Sequence, residues 1–186
     1  AFEAGGGEVV VWEAFVKEDT DFSAILAKVK AAGPDVFFVP TYYDKLNLIA
    51  MQAKQKGITA VLLGGDGWDS PDTDLEAADG GYYSNHYSPE DSRPIVQDFV
   101  SKYEAKFGSI PDAFGTLAYD AASLLLQSIK NAGVDDPVAA RDAMEAMEFE
   151  AVSGLITFDE FHNPTKSAAI LHIKDGKVVF EASVSP

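Results

Sequence analysis

The stretch that decides the fold is residues 34–68, PDVFFVPTYYDKLNLIAMQAKQKGITAVLLGGDGW. Two apolar runs, Val36–Val39 and Ala60–Leu63, enclose a segment with apolar residues at helical spacing, which predicts a strand, a helix and a second strand. Two strands joined through a helix by short loops are typical of a parallel pair with a right-handed crossover. Because Val36–Val39 is apolar at every position, we expect it to be a central strand and not an edge strand.

The same pattern extends toward the N-terminus. The β-branched run Glu8–Trp12 predicts a buried strand. A helix is expected after it, capped by Thr20 or Asp21 and ended at Gly33. Residues 8–64 therefore predict a β-α-β-α-β succession, which belongs to the α/β class with a parallel sheet. The two helices are expected to bury Phe22, Ile25, Leu26 and Val29 in the first, and Leu46, Ile49, Ala50 and Ala53 in the second.

In the remainder of the chain, three helices come before the last strands. The expected elements are a short strand at Gly81–Ser84, helices at Ser92–Phe107, Phe114–Ile129 and Pro137–Met147, and strands at Gly154–Phe158, Ser167–Ile173 and Lys177–Ala182. Asp175-Gly176 between the last two strands is a strong hairpin signal. The longest helix carries an apolar stripe made of Phe114, Leu117, Ala118, Ala121, Leu124, Leu125 and Ile129. The segment that contains these three helices has no sheet for them to cover. We therefore expect the helices to pack on strands from another part of the protein.

Composition excludes several classes of protein. The formal net charge is -16, from 30 acidic residues against 14 Lys and Arg, and no basic stripe occurs, which argues against nucleic-acid binding. The absence of cysteine excludes disulfides, thiolate zinc sites and a cysteine nucleophile. No apolar run approaches the roughly 18 residues of a membrane span. The opening AFEAGGGEVVVW has no signal peptide and is typical of a helix end followed by a strand, so we expect a piece of a longer protein.

Two predicted loops leave the carboxyl ends of parallel strands, where ligands bind in open α/β sheets. One loop holds Tyr42 and Tyr43, and the other, GGDGW, holds Asp66 and Trp68. A carboxylate beside aromatic rings suits an ammonium group and repels phosphate. An ordinary turn with a capping aspartate explains the second loop equally well, and packing explains either tyrosine. Because adjacent tyrosines point in different directions, at most one is expected to face a ligand.

The other polar residues predict neither catalysis nor a metal site. Asp69, Asp72 and Asp74 lack the glycine and terminal glutamate of a calcium loop and are better explained as helix caps. The histidines are isolated, and the common phosphate-binding and hydrolase motifs do not occur. Asp120 lies within the long helix, where we expect it to form hydrogen bonds near a domain junction. We therefore expect no metal, no cofactor and no enzymatic activity.

Five segments occur in an informative order: TDFSAIL, PDVFFVPTYYDKLNLIAMQAKQKGI, LLGGDGW, AYDAASLLLQSI and GLITFDEFHNPTKSAAILHIKDGK. In this order they resemble the branched-chain amino-acid-binding proteins, which are periplasmic solute receptors of ABC importers with the type I periplasmic binding fold. The resemblance covers nearly all 186 residues, and it matches only the C-terminal half or so of such a protein.

The resemblance implies two α/β lobes joined by three crossover strands. Residues 1–85 would form most of the second, C-terminal lobe, and residues 86–153 would return to the first lobe. Residues 154–186 would form a crossover and the end of the second lobe. The helices of the middle segment would then cover a sheet whose strands precede Ala1.

The resemblance also implies a ligand site. Tyr42 would reach the bound amino acid, Asp66 would bind its α-ammonium group, and Phe114 would line the side-chain pocket from the first lobe. We add Trp68 and Tyr43 because they neighbour these residues in the sequence. Close relatives often carry glutamate at the position of Asp66. The groups that hold the ligand carboxylate would belong to the other half of the protein.

The implied function is that of the substrate-binding component of an ABC importer, which binds an amino acid by hinge closure without chemistry. Its expected partners are the amino acid, a membrane permease and the N-terminal half of the same protein. The expected location is periplasmic or extracellular, with a lipid anchor as one option for the full-length protein. A sensor domain of the same fold for amino acids or small amides, and an interaction module without a small ligand, are the alternatives.

Overall fold

A computed structural model describes residues 1–185. The helices are α1 (Ser23–Ala32), α2 (Tyr43–Gln55), α3 (Pro94–Phe107), α4 (Ala113–Ala132) and α5 (Pro137–Glu145). The strands are β1 (Val36–Phe38), β2 (Val61–Gly64), β3 (Tyr82–Asn85), β4 (Phe149–Ala151), β5 (Gly154–Phe158), β6 (Pro164–Thr165), β7 (Ala168–Lys174) and β8 (Lys177–Val184). The helices and strands predicted from the first helix onward are confirmed with shifted ends. The short strands β4 and β6 were not predicted.

The chain divides into two compact units. The first contains Ala1–Tyr83 and His172–Val178, and the second contains Ser84–Leu171 and the residues from Val179 on. A five-stranded sheet has the order β1-β2-β3-β7-β8, and a three-stranded sheet has the order β4-β5-β6. The unit boundaries fall inside β3, β7 and β8, so each of these strands contributes residues to both units.

The first unit contains the predicted parallel arrangement. β1 pairs with β2 and β2 pairs with β3, in both cases parallel, with Phe37 opposite Leu62. The α/β class and the parallel sheet are therefore confirmed. Helix α1 ends at Gly33, whose φ of +60° is a conformation that favours glycine. Helix α2 buries the four side chains that its periodicity predicts, namely Leu46, Ile49, Ala50 and Ala53.

The strand predicted at Glu8–Trp12 is absent. These five residues belong to no strand, and Trp12 is 86% exposed. A strand forms only where a neighbour completes its backbone hydrogen bonds, and no segment among residues 1–185 does so for this run. The prediction of a buried strand is therefore wrong for these residues, although their composition favours one.

β1 lies at the edge of its sheet and not at the centre. It has β2 as a neighbour on one side and no strand of the described chain on the other. Val36 is exposed and Phe38 is 62% exposed. The prediction of a central strand is wrong for residues 1–185, because a central strand needs a neighbouring strand on each side and these residues supply only β2.

In the second unit, α4 packs on α5 and β4. Its buried side chains are Ala113, Thr116, Asp120, Leu124 and Ser128. Much of the apolar stripe predicted for this helix is instead exposed, including Phe114, Ala118, Ala121, Leu125 and Ile129. The described residues thus give α4 a small, partly polar packing face and leave its broad apolar face uncovered, as expected for a helix that packs on strands from elsewhere.

The core of the second unit and the last hairpin follow ordinary packing rules. Tyr87, Val96, Phe99 and Val152 form a buried cluster. The predicted hairpin between β7 and β8 is confirmed by positive φ angles at Asp175 (+53°) and Gly176 (+70°), as a tight two-residue turn requires. Along residues 1–185, no helix has both the length and the apolar character needed to cross a membrane.

Candidate functional site

The two loops predicted to carry a ligand meet at Gly67. A Cβ atom placed on Gly67 would lie 2.9 Å from the carbonyl oxygen of Thr41 and 3.2 Å from the Cα of Tyr42. Distances this short leave no room for a side chain, so glycine permits the contact between the loop after β1 and the loop after β2. The carboxyl ends of the two parallel strands therefore bring Tyr42 and the Asp66 loop together at one edge of the sheet.

Asp66 opens a single 3₁₀ turn directly after β2. Within this turn the Trp68 N–H donates to the Gly65 carbonyl and the Asp69 N–H donates to the Asp66 carbonyl, both at 3.0 Å. The residue at the N-cap position is Gly65, which has no side chain to cap the turn. Asp66 is exposed to solvent. An exposed carboxylate at this edge can accept hydrogen bonds from a cationic ligand.

Trp68, in the same turn as Asp66, is a core residue. Its side chain is 1% exposed, and its indole Nε1 donates a hydrogen bond of 3.1 Å to the Val39 carbonyl at the end of β1. Gly64 makes room for the ring, because a Cβ there would lie 2.0 Å from the indole Cε2. Tyr83 of β3 packs beside it with ring centroids 5.8 Å apart. We expected Trp68 among the ligand contacts. The structure instead places its ring in the core, where the packing and the hydrogen bond to Val39 hold the Asp66 loop against the end of β1.

The two tyrosines differ in exposure. Tyr42 stands at the N-cap of α2, where its carbonyl accepts hydrogen bonds from the N–H groups of Lys45 and Leu46, and its side chain is 61% exposed. Tyr43 is the first residue of the helix and is half-buried. Tyr42 is therefore the tyrosine with a ring available at this edge of the sheet. The ligand roles of both remain predictions.

Phe114 belongs to the second unit. It is the second residue of α4, a helix that begins at the cap Asp112, whose carboxylate accepts a 2.7 Å hydrogen bond from the Gly115 N–H. The Phe114 ring is exposed. Its predicted contact with a ligand side chain remains a prediction.

Asp120 forms the buried hydrogen bonds that its sequence position indicated. Its side chain is 2% exposed, and its two carboxylate oxygens accept from the N–H groups of Val152 and Ser153, each at 2.9 Å. Arg93 donates through Nη2 to the Val152 carbonyl at 2.7 Å. The helix α4 is thereby tied to the turn between β4 and β5, and Asp120 has a structural role in this unit.

Lys166 forms a set of hydrogen bonds that was not predicted from the sequence. Its Nζ donates to the carbonyl oxygens of His86, Ser153 and Ser167, each at 3.1 Å. Burial lowers the pKa of this ammonium group, while the nearby carboxylate of Asp120 acts in the opposite direction. A lysine whose partners are backbone carbonyls has no signature in sequence, because every residue carries such a carbonyl.

The residues considered for metal binding have other contacts. Asp74 accepts a 2.9 Å hydrogen bond from the Ala77 N–H, as a capping residue does. His172 stacks on Tyr82 with ring centroids 4.1 Å apart and an interplanar angle of 10°. Within residues 1–185, no group of three or more His, Asp or Glu side chains is arranged to hold a metal ion.

Known proteins resemble this chain in sequence and in fold. The chain matches the family described as "Periplasmic binding protein" over residues 1–177. A leucine binding protein from Thermotoga maritima MSB8 is 35% identical and has a TM-score of 0.85, over 92% of this chain and 51% of that protein. A branched-chain amino acid transporter substrate binding protein from Streptococcus pneumoniae, solved with isoleucine, is 34% identical with a TM-score of 0.85, over 97% of this chain and 53% of that protein.

A sequence relative gives the same result. Leu/Ile/Val-binding protein homolog 3 of Brucella melitensis is 30% identical over a matched region that covers 96% of this chain and 50% of the relative. The chain thus spans about half the length of the relatives it matches. Its mixed α/β architecture with a parallel sheet is that of the type I periplasmic binding proteins. A match along nearly the whole chain in both sequence and fold means that the chain belongs to the periplasmic binding protein family.

Proposed function

We propose that this chain is the C-terminal part of the substrate-binding component of an ABC importer, and that it binds an amino acid with a branched aliphatic side chain. The relatives support this ligand class, since their names refer to leucine, isoleucine and valine. The observation that carries the proposal is the contact between two strand-end loops at Gly67, which brings the exposed Tyr42 together with the loop of the exposed Asp66.

Asp66 is the proposed ligand of the α-ammonium group. A carboxylate pairs with an ammonium group through short charge-assisted hydrogen bonds, and the pair becomes more selective when a closing site removes water from it. The same carboxylate repels the α-carboxylate of the ligand. The ligand must therefore lie with its ammonium group toward Asp66 and its carboxylate away from it. We assign the groups that hold the carboxylate to the other half of the protein.

The aromatic residues have different proposed roles. Tyr42 contacts the amino acid beside Asp66, with its ring near the ammonium group. Phe114 lines the pocket for the ligand side chain, and Tyr43 is a weaker candidate because it is half-buried. The burial of Trp68 supports an indirect role, in which the indole sets the position of the Asp66 loop.

The proposed mechanism is binding without turnover. An open receptor admits the amino acid, two lobes close by hinge motion, and the closed form docks on a membrane permease. The protein acts in the periplasm or outside the cell, which agrees with the description of its family.

The exposed face of α4 supports the proposal that the chain is part of a longer polypeptide. Ala118, Leu125 and Ile129 lie on one exposed apolar face of this helix. Contiguous apolar surface of this kind marks a contact with another element. The rest of the protein, which in the relatives is about as long again, is the proposed cover.

A titration of the full-length protein with matched ligands tests the ligand class. Leucine, isoleucine and valine are expected to bind. The leucine analogue 4-methylpentanoate keeps the side chain and the carboxylate and lacks the ammonium group. It is expected to bind about 30- to 4,000-fold more weakly, because the loss of one partner from a buried charge pair costs roughly 2–5 kcal/mol.

Isothermal titration calorimetry measures these affinities directly. A panel of the other amino acids in the same buffer shows whether the branched side chain is selected. Equal affinity for leucine and 4-methylpentanoate would remove the ammonium contact from the proposal. Tight binding of another class of solute, with none of the three branched amino acids bound, would overturn the proposed function.

A further inference from the structure

A side chain on α2 holds the segment that follows the Asp66 turn. Asn47 lies on α2 one helical turn after Tyr43, the first residue of this helix. Its Nδ2 donates a hydrogen bond of 2.9 Å to the Asp72 carbonyl, and its Oδ1 accepts one of 2.8 Å from the Asp74 N–H. One amide group therefore uses both its donor and its acceptor on the backbone of a single segment, and it fixes that segment in distance and in direction.

The segment held by Asn47 is in turn bonded to the turn that contains Asp66. Thr73 lies between the two residues that Asn47 binds, and its side chain is buried. The Thr73 hydroxyl donates a hydrogen bond of 2.6 Å to the carbonyl of Trp68, which lies in the same 3₁₀ turn as Asp66. A continuous path therefore leads from α2 through an amide and a hydroxyl to the backbone of this turn.

Helix α2 holds the Asp66 turn at a second place. At the N-terminus of this helix, Gly67 lies against the backbone of Thr41 and Tyr42. Two attachments to one helix, separated along its axis, restrict rotation of the loop more than one contact does. Functional groups that are supported in this way by a rigid element keep their geometry.

We propose that Asn47 is a positioning residue for ligand binding, which orients the Asp66 carboxylate toward the ammonium group of the amino acid without contacting the ligand. The inference rests on the proposed function, because it assigns Asn47 to the same site. A hydrogen bond weakens steeply as its angle departs from linear, so an ammonium–carboxylate pair depends on the orientation of the carboxylate. A loop without the Asn47 attachment is expected to lose part of this pairing.

Gln52 provides a matched control on the same helix. Its Oε1 accepts a hydrogen bond of 2.8 Å from the Phe22 N–H, and its Nε2 donates one of 2.8 Å to the Thr20 carbonyl. The amide of Gln52 thus binds backbone in the same manner as that of Asn47, but in a loop that contains no proposed ligand residue. Gln52→Ala therefore removes the same number of hydrogen bonds from α2 as Asn47→Ala does.

Calorimetry on the full-length protein tests the positioning role with two ligands. Asn47→Ala is expected to weaken leucine binding by about 5- to 50-fold, which lies within the range of coupling inside one hydrogen-bond network. Affinity for 4-methylpentanoate should stay the same or rise, because this analogue has no ammonium group for Asp66 to bind. Gln52→Ala should leave leucine affinity within about twofold. An unchanged leucine affinity in Asn47→Ala, or an equal loss for both ligands, would overturn the inference.

Thr73→Val provides a second variant that breaks the same path. It removes the hydroxyl that donates to the Trp68 carbonyl and replaces it with a methyl group. This variant should weaken leucine binding and leave 4-methylpentanoate binding unchanged or stronger, as Asn47→Ala does. If Asn47→Ala does not fold, this variant decides the question, and an unchanged leucine affinity in it would overturn the inference.

Amide hydrogen exchange in the ligand-free protein tests the path without any ligand. The N–H groups of Trp68 and Asp69 close the Asp66 turn, and Asn47→Ala should make them exchange at least ~10-fold faster. The Val39 N–H bonds to β2 and should keep its rate. Unchanged exchange at Trp68 and Asp69 would overturn the inference while the proposed function stands. A wild-type protein that binds no branched-chain amino acid would overturn the proposed function itself, so the two failures are distinguishable.

Discussion

At the scale of single residues, glycines set the geometry of the candidate site. Gly64 gives the Trp68 indole its space, and Gly67 lets the Asp66 loop touch the backbone of Thr41 and Tyr42. The indole in turn bonds to the carbonyl of Val39. The position of the Asp66 carboxylate therefore depends on residues that would contact no ligand.

Replacing Gly67 with alanine is expected to force the two loops apart, because the new Cβ would meet the Thr41 oxygen at 2.9 Å. The free energy of unfolding of the full-length protein should fall by about 1–3 kcal/mol, as for other overpacked sites. Affinity for leucine should also fall, since Tyr42 and Asp66 separate. Urea denaturation and calorimetry measure the two effects.

Gly5→Ala is the matched control, because nothing lies within 4 Å of a Cβ at Gly5. It should change the unfolding free energy by less than about 0.5 kcal/mol, as is usual at surface positions. Equal effects of the two substitutions would contradict the role assigned to the contact at Gly67.

The roles of some of these residues can be predicted from the sequence, and those of others cannot, for physical reasons. Asp66 and Tyr42 follow apolar runs at strand ends, so their position can be predicted from the topology alone. The burial of Trp68 depends on space left by Gly64, just before it in the chain, and by Gly81, which the fold brings close to its ring. Lys166 could not be predicted, because its three partners are backbone carbonyls.

At the scale of elements, α4 carries two different faces. Its packing face includes Thr116, Asp120 and Ser128, which are polar and almost fully buried. Apolar periodicity cannot predict such a face, because it locates only apolar side chains. Much of the predicted apolar stripe is exposed within residues 1–185, and its cover by the rest of the protein stays a prediction.

Leu125→Ala in the full-length protein tests whether this stripe is covered. Leu125 is 48% exposed in this chain alone. If the rest of the protein packs on it, the substitution should lower the unfolding free energy by about 2–4 kcal/mol, as in a protein core. Chemical denaturation measures this loss.

Lys130 is a charged, exposed residue on the same helix and lies outside the predicted stripe, so Lys130→Ala is the control. Its cost should stay below about 1 kcal/mol, as for a surface substitution. A loss at Leu125 no greater than that at Lys130 would mean that the stripe faces solvent in the full-length protein.

At the scale of the whole molecule, the α/β class, the parallel sheet and the family could be predicted from order and periodicity. The central position of β1 and the strand at Glu8–Trp12 could not, because a strand depends on neighbours that the run itself does not contain. The lobe boundaries expected at residues 85 and 154 stay predictions about the longer protein. The amino-acid specificity is likewise a property of that protein, since this chain spans about half of its relatives.

The central claim, that Asp66 holds the ammonium group of a branched-chain amino acid, is tested most directly by calorimetry on Asp66→Asn in the full-length protein. Glu76→Gln is the matched control, since its side chain is 93% exposed in the same unit. Asp66→Asn should weaken leucine binding by about 30- to 4,000-fold. It should leave the affinity for 4-methylpentanoate unchanged or raise it, because this analogue brings no positive charge to pair with Asp66 and its carboxylate is repelled by Asp66. An unchanged affinity for leucine, or an equal loss for both ligands, would contradict the claim.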